Sequence, residues 1–314
     1  MTATTNSTQS ARHQALSVGA AREIAPRNVK FPFSENTPKY WFDNDPYLTH
    51  VMNALSMIFP EGERYFIAAV RGLREHVKDP VLERQVRGFL GQESLHRREH
   101  DAFNDWLRTT GVHVDKFYEE MRDALRVDEP GGNKRWRLAV TCALEHFTAI
   151  IAEEWLTRDD LRESAHANVQ PLWSWHAMEE LDHKAVAFDV YQAAGGTYLL
   201  RAVSMVLITI GFAALASSFH FRLMLADKQL FNVKSWLRGT WRCWGPNGYF
   251  TSLAPAWLRY FQRDFHPWQQ DDSALIERYE KELLRYAEGS PSRALDHSAP
   301  TAPALHDTNV LVTL

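Results

Sequence analysis

Two short motifs place a glutamate three residues before a histidine. The first, Glu93-Ser-Leu-His96, lies in the stretch GQESLHRREH, and the second, Glu180-Leu-Asp-His183, lies in WHAMEELDHKA. This spacing puts both side chains of a motif on one helix face, one turn apart, where they can hold one metal ion together. A single copy would favour a solvated helix surface. Two copies indicate a metal site if further ligands match them.

Each motif is preceded by another glutamate at a similar interval. Glu63 lies 30 residues before Glu93, and Glu145 lies 35 residues before Glu180. In an antiparallel helix pair, such an interval returns the chain to the same depth. One glutamate on each of two helices, with Glu-x-x-His on each of the other two, is the ligand arrangement of dinuclear carboxylate bundles. The sequence therefore predicts a dinuclear metal site.

Two neighbouring acids compete for these positions. Glu61 is the alternative to Glu63, and Glu153 is the alternative to Glu145. A kink expected at Pro60 favours turning Glu63 inward. Glu153 lies two turns further along its helix and about 80° round it, so Glu145 is preferred.

Further histidines extend the predicted site. His100 follows His96 by four residues and His176 precedes Glu180 by four, so each lies about 40° from its motif face and roughly 6 Å along the helix axis. Because the second and fourth helices of such a bundle run antiparallel, both histidines point to the same end of the metal pair. We predict one of them, His176, as a seventh ligand and His100 as a supporting or proton-handling residue. His146, turned about 100° from the preceding glutamate, is expected to support the ligands or to pack.

The charge balance supports two divalent ions. Four buried carboxylates without metal would be too costly, whereas two divalent cations neutralise them. Carboxylate and imidazole ligands favour iron, with manganese or zinc as alternatives. Glu99, Glu179 and Asp182 are expected to face solvent or to support the ligands. The predicted ligands are Glu63, Glu93, His96, Glu145, His176, Glu180 and His183.

Four long helices must position these residues. Asp45-Pro46 and Asp79-Pro80 are start signals for the first two, and Gly111 ends the second. The third runs from about Asn133 to Ser164, and the fourth ends at Gly195-Gly196. Strand patterns are scarce over this span. We predict an all-α, ferritin-like four-helix bundle over about 46–195, made of two helical hairpins joined by a longer connection.

Extra helices are predicted after the bundle. A strongly hydrophobic helix covers about 198–225, and its residues 202–219 carry no charge, which is the lower limit for a membrane span. The favoured interpretation is a fifth helix buried against the bundle. A membrane helix, lying in the plane or spanning, is the alternative. An aromatic-rich region at 236–270 and an amphipathic helix at 272–288 follow, and flexible tails at 1–27 and 289–314 flank a single domain at 28–275.

Composition narrows the classes of function. The net charge is −4, from 35 basic and 39 acidic residues, so nucleic acid is not expected as a partner. Cys142 and Cys243 form neither a zinc spacing nor a disulfide framework, and the N-terminus lacks a secretory apolar segment. We expect a cytoplasmic protein that acts on a small-molecule or lipid-like substrate, with membrane contact through 202–219 as an option. The oligomeric state is left open.

The chain resembles the bacterial family of predicted metal-dependent hydrolases, in the ferritin-like group. The resemblance covers roughly residues 25–275 and rests on the stretches FPEGERYF, GQESLHRREH, CALEHFTA, WHAMEELDHKA and RYFQRDFHPW. It implies a metal-dependent enzyme. The ligand pattern also resembles the p-aminobenzoate N-oxygenase type of di-iron enzyme, which has a histidine four residues before the second motif, where this chain has His176.

Three functions are compatible with these features. An O2-activating di-iron oxygenase or oxidoreductase is favoured, because the ligand set suits oxygen chemistry. A metal-dependent hydrolase with a metal-bridged hydroxide is the alternative, which the family resemblance favours. A non-enzymatic iron-binding bundle is the third, and the aromatic C-terminal region and the hydrophobic helix are unexpected for it.

Overall fold

A computed structural model describes residue 19, residues 22–125 and residues 132–288 of the chain. Within them the chain forms α-helices and short 3-10 turns but no β-strand, which confirms the all-α prediction. The α-helices are α1 (Pro46–Arg71), α2 (Pro80–Thr109), α3 (Val114–Leu125), α4 (Lys134–Thr157), α5 (Asp159–Arg162), α6 (Gln170–His183), α7 (Val186–Ala193), α8 (Tyr198–Ala226), α9 (Val233–Trp244), α10 (Ala254–Arg259) and α11 (Ser273–Glu288).

The helix start and stop signals act where the sequence places them. The side chains of Asp45 and Asp79 accept hydrogen bonds from backbone amides in the first turns of α1 and α2, and a proline follows each of them. Such caps satisfy amides that have no partner within the helix. Gly111 follows α2 with a φ of +93°, a left-handed conformation that glycine adopts readily.

Helices α1 and α2 form an antiparallel pair. Ser56 donates to Asn104 at 3.0 Å, while the ring of Phe59, one turn later on α1, lies 4.9 Å from the ring of His100, one turn earlier on α2. Later residues of one helix thus face earlier residues of the other. The first predicted hairpin is therefore present.

Helices α4 and α6 form a second antiparallel pair. The rings of Trp155 and Trp173 lie 5.9 Å apart at one end, and Glu145 approaches His183 to 3.5 Å nearer the other end. Both predicted hairpins thus bring their glutamate and their Glu-x-x-His motif to one level. The ferritin-like topology as a whole remains a prediction.

Pro60 lies inside α1, which continues through it as one helix. Because proline has no N–H, the carbonyl of Ser56, four residues earlier, loses its helical partner. The side-chain amide of Asn104 donates to that carbonyl at 2.9 Å. Helix α2 therefore supplies the missing hydrogen bond, and α1 continues to Arg71.

The third and fourth helices are shorter than predicted. Helix α4 ends at Thr157, because Arg158 is extended and pairs with Glu154 and Asp160. The predicted fourth helix divides into α6 and α7 at Lys184, whose ammonium group donates to a backbone carbonyl 86 residues away. Local periodicity does not encode such contacts.

Helix α8 corrects the favoured interpretation of the hydrophobic segment. Its bounds match the prediction, and its length and composition suit a membrane span, but only 17% of its most apolar stretch is buried. The buried side chains lie near its two ends: Arg201, Ser204, Met205, Phe219, His220, Leu223 and Met224. The helix is therefore fastened at both ends and largely exposed between them.

The segment 22–27 corrects part of the predicted N-terminal tail. Arg22 and Arg27 both form ion pairs with Asp182 on α6, and Ile24 is buried. This segment therefore packs on the bundle. The rest of that tail, apart from residue 19, and the whole of 289–314 lie outside the described residues.

Candidate metal centre

Helices α1, α2, α4 and α6 direct all seven predicted ligands into one buried cluster. Two groups of three have ligand atoms within 4.8 Å of one another: Glu63, His96 and His176, and Glu93, Glu180 and His183. Glu145 adjoins the second group, with Oε2 3.5 Å from Nε2 of His183. The structure thus brings together the residues that the spacing singled out.

Glu180 connects the two groups. Its Oε1 lies 2.9 Å from Nε2 of His176 and 3.4 Å from Nδ1 of His96, and its Oε2 lies 3.6 Å from Nε2 of His183. Burial acts to raise the pKa of Glu180, but attraction to His183 and the close approach of His176 and His96 outweigh it and hold the pKa well below its usual range. One ionised carboxylate therefore faces both groups.

The donor set fits metal ions. No hydrogen-bond partner among the described residues serves the carboxylate oxygens of Glu63, Glu93 and Glu145, Oε2 of Glu180, Nδ1 of His96 or Nε2 of His183. A buried polar group without a partner costs about 1–3 kcal/mol, and more when charged. Cations between these atoms would satisfy all of them at once.

Gln92 fixes the orientation of His183. Its amide nitrogen donates to Asp182 at 3.0 Å and to the carbonyl of Ala25 at 3.2 Å, so its oxygen accepts from Nδ1 of His183 at 3.0 Å. A neutral His183 therefore carries its proton on Nδ1 and directs the lone pair of Nε2 towards Glu93, 3.1 Å away. That orientation is the one a metal ligand requires.

Glu179 plays the same part for His96. Its Oε2 lies 3.0 Å from Nε2 of His96, and its Oε1 accepts from the backbone amide of Arg27 at 3.0 Å. The lone pair of Nδ1 on a neutral His96 consequently points to the cluster. Glu179 and Asp182 are both buried, so they support the ligands and do not face solvent.

Glu99 is buried as well, so of its two expected placements the one facing solvent is wrong. It accepts from the backbone amide of Phe31 at 3.1 Å and pairs with Arg98 at 2.6 Å. Its role is to fasten the segment before α1 onto α2.

The remaining histidine, His176, is oriented by a chain that begins at Pro60. Because Asn104 uses its amide nitrogen for the Ser56 carbonyl, its oxygen accepts the Ser56 hydroxyl proton at 3.0 Å. The Ser56 hydroxyl oxygen must then accept from Nδ1 of His100 at 2.9 Å. The proton of His100 therefore lies on Nδ1.

The position of the His100 proton determines which nitrogen of His176 carries a proton. Burial, then the nearby His176 and His96, hold the pKa of His100 well below its usual range, so its Nε2 is an acceptor. It accepts from Nδ1 of His176 at 2.6 Å. Nε2 of His176 then presents its lone pair to Glu180 at 2.9 Å, an approach that a cation between them makes favourable.

Without metal, the cluster retains protons. Burial, followed by repulsion from neighbouring carboxylates, raises the pKa of Glu63 and Glu145 well above the usual range. Burial disfavours protonation of His96, but the hydrogen bond to Glu179 and the nearby carboxylate of Glu180 outweigh it and raise its pKa to about 9. Protons thus take the place of metal charge.

The competing acids lie outside the cluster. Glu61 pairs with Arg64 at 3.4 Å and with Arg122 at 3.1 Å, and Glu153 accepts from the side chain of Gln270. Each of them faces a cation or an amide elsewhere in the fold, whereas Glu63 faces the cluster.

His146 is also directed away from the ligands. It bonds to the carbonyl of Ala256 at 3.1 Å and packs on Tyr260 and Phe265, and burial lowers its pKa to about 4. Of its two predicted roles, the structure places it in packing.

Three supporting residues were missed from the sequence: Gln92, Ser56 and Asn104. A signal for two of them exists, because Gln92, His96, His100 and Asn104 recur every four residues along α2. All four are fully buried. A buried polar stripe at that spacing indicates a hydrogen-bonded network along one helix face.

An apolar cavity of about 480 Å³ reaches the cluster from the side of α8. Glu63, His176 and Glu180 are among its lining residues, and α8 contributes Ile208 and Phe212. A mostly apolar cavity with a few convergent polar groups is typical of a small-molecule site.

Replacing Gln92 with leucine is expected to weaken metal binding about 10–100-fold, because Nδ1 of His183 loses the acceptor that orients the ring. A competition titration against a chelator of known affinity measures this. Gln85→Leu is the matched control, since Gln85 is a buried amide on the same helix that donates to the carbonyls of residues 19 and 22. Equal affinities for both variants would contradict the assigned role.

A family model described as "Predicted metal-dependent hydrolase" matches residues 25–271 of the chain. The match includes the whole cluster, the supporting residues and α8. No curated protein and no solved structure gives a significant match.

Proposed function

The chain belongs to the family of predicted metal-dependent hydrolases, and from this membership we propose that it is a hydrolase with a dinuclear metal centre in the buried cluster. The observation that carries the proposal is the set of buried ligand atoms without hydrogen-bond partners. Supporting side chains orient all three histidines towards those atoms. Such a set is costly without metal and favourable with it.

The proposed ligands divide between two ions. Those of the first ion are Glu63, His96 and His176, and those of the second are Glu93, Glu145 and His183, with Glu180 shared. Two bound divalent ions supply Lewis acidity and lower the pKa of coordinated water. Iron is the proposed metal, with manganese or zinc as alternatives.

The protein itself supplies binding, orientation and exclusion of water. The apolar cavity wall favours an apolar substrate, and Glu63, His176 and Glu180 of the cluster are among its few polar lining residues. A substrate with one polar, cleavable group would therefore bind with that group beside Glu180 and His176. Elsewhere the mostly apolar wall offers that group few polar partners.

Metal analysis joined to an activity assay tests the proposal. We expect about two metal ions per purified chain, and metal-dependent cleavage of an ester panel under nitrogen, with long-chain esters favoured over short ones. Glu93→Gln should lose metal and activity together, whereas Glu61→Gln, the neighbouring acid outside the cluster, should keep both. Full metal content in Glu93→Gln, or cleavage that survives complete metal removal, would overturn it.

An O2-activating di-iron oxidoreductase is the second candidate. Family membership favours hydrolysis. The ligand set, taken alone, favours the oxidoreductase reaction. Its support is the combination of four carboxylates with Glu-x-x-His motifs on two helices, as in di-iron carboxylate bundles. Substrate-dependent O2 consumption by the ferrous protein, without cleavage under nitrogen, would select it. The apolar cavity gives no support to an iron-binding bundle without activity.

A further inference from the structure

Large exposed apolar side chains are concentrated at one side of the molecule. Among the described residues they lie on α8, the connection to α9, α9 itself and α10, with Leu284 on α11 as the one other example. The three elements adjoin, because the rings of His220 on α8 and Trp236 on α9 lie 5.6 Å apart and Trp257 on α10 donates to Thr209 on α8 at 3.0 Å. A continuous apolar surface of this kind marks an interaction site.

Helix α9 turns its apolar stripe outward. Val233, Leu237 and Trp241 recur every four residues and are 66%, 70% and 67% exposed. The opposite stripe is buried and consists of small residues, among them Gly239, which contacts the ring of Tyr47. A helix of a water-surrounded domain shows the reverse arrangement.

A basic stripe runs beside the apolar stripe of α9. Lys234, Arg238 and Arg242 also recur every four residues, and Val233–Trp244 contains no acidic residue. Arg238 also pairs with Asp43 at 2.9 Å and Arg242 with Asp160 at 3.9 Å, whereas Lys234 has no acid partner among the described residues. Apolar and tryptophan side chains flanked by cations on one helix are typical of helices that lie in the interface of an anionic membrane.

Helix α8 lies along the bundle and does not project from it. Near its start Ser204 donates to the carbonyl of Ala139 on α4 at 3.1 Å, and near its end His220 packs on Tyr47 of α1 at 4.3 Å. Because both ends are held on the bundle, one face of the helix lies against the bundle along its length. Its outer face, with Leu207 and Ile210 exposed, remains available along the surface.

We propose that the outer face of α8 and the apolar stripe of α9 together form a lipid-facing surface that binds the headgroup region of an anionic phospholipid bilayer. The basic stripe selects this occupant over a second copy of the chain, because a symmetric contact would bring like charges together. The bilayer accepts apolar side chains and offers negative charge in the same place.

The lipid-facing surface also bears on substrate delivery. The same helix that exposes Leu207 and Ile210 lines the cavity with Ile208, Gly211 and Phe212. Only the thickness of α8 therefore separates a bound bilayer from the cavity that reaches the cluster. Resting on the proposed function, this assigns the substrate to molecules dissolved in the membrane that carry a long apolar chain.

Vesicle flotation tests the surface. The metal-loaded protein should float with vesicles of phosphatidylcholine and phosphatidylglycerol, and less with phosphatidylcholine alone. The double variant Leu207→Glu/Ile210→Glu should lose binding about tenfold or more, since it places two charges in the apolar layer. Leu284→Glu, the same kind of substitution at an exposed leucine on α11, should float like the wild type.

Several outcomes separate the alternatives. Wild-type protein that stays in solution with anionic vesicles, or a double variant that floats normally, overturns the proposal. A dimer that the double variant dissociates, without vesicle binding, would assign the surface to a second copy. Unchanged circular dichroism and metal content show that the variant is folded.

The activity arm tests delivery alone. The double variant should cleave a short water-soluble ester at the wild-type rate but lose most activity on a long-chain ester embedded in vesicles. If the double variant keeps the wild-type rate on both esters, the delivery step is overturned. If the wild type cleaves neither ester, the proposed function fails, while the flotation result still decides membrane binding.

Discussion

Glu180→Gln should cost the protein both metal ions and lower any hydrolytic activity by roughly a thousandfold or more. Glu180 is the carboxylate that approaches ligand atoms of both groups, at 2.9 Å on one side and 3.6 Å on the other. An amide is neutral and presents an NH2 group to one of these sides, so it cannot neutralise two cations.

Elemental analysis and kcat/KM on the same preparation measure this effect. Glu153→Gln is the matched control, because Glu153 is a partly buried acid whose described partner, Gln270, belongs to the C-terminal region. The control should keep metal and activity. Retention of one tightly held ion in Glu180→Gln would show that the two groups bind independently, contrary to the shared position.

Removing both metal ions should lower the melting temperature by roughly 15–30 °C, since each ion held at about a thousandfold above its Kd adds about 4 kcal/mol and each kcal/mol shifts Tm by about 2–4 °C. The buried carboxylates and histidines lose their common partner when the ions leave. Thermal melts of the protein before and after dialysis against a chelator check this. The chelator should leave the melt of metal-free Glu180→Gln unchanged.

The size of this drop should depend on pH. The pKa of His96 in the metal-free protein is raised to about 9, so its contribution to stability is complete below the unfolded value of 6.5 and is lost as pH rises through about 9. The pKa of His176 is lowered to about 4 by burial and His96, so its contribution is constant above 6.5. Between pH 6.5 and about 9 the metal-free protein should therefore become less stable.

The metal-loaded protein should not show this loss, because its ligands are deprotonated both when they bind metal and, above pH 6.5, in the unfolded chain. The difference in melting temperature between the two forms should widen as pH rises across that window. A constant difference would indicate that the ions and the protons do not share these histidines.

The ligand positions were accessible from the sequence because helical geometry relates them. Glu93 and His96 share a face by local spacing, and the interval back to Glu63 follows from one helical hairpin. The structure places all three residues in the cluster, as these two rules predicted. Local and near-local rules were sufficient wherever the partners belonged to one hairpin.

The supporting residues were less accessible, because their partners are distant in the chain. Asp182 was expected either to face solvent or to support the ligands, and the cations that cover it, Arg22 and Arg27, lie about 155 residues earlier in a segment predicted to be flexible. Periodicity shows which face of a helix is polar but not what covers that face. The same limit applied to α8, whose composition shows that it is apolar but not that its neighbours leave it exposed.

Proline 60 has a consequence for the number of states that the centre can adopt. A buried asparagine amide has two orientations of nearly equal shape, and each would place the mobile protons of the following imidazoles differently. Because Pro60 has no N–H, the carbonyl oxygen of Ser56 needs another donor, and only the NH2 group of the Asn104 amide can donate to it. The flipped orientation of the amide is therefore disfavoured. Pro60 has no titratable group, yet it leaves Asn104 with one favourable orientation. The position of the protons around His176 therefore depends on the backbone of α1.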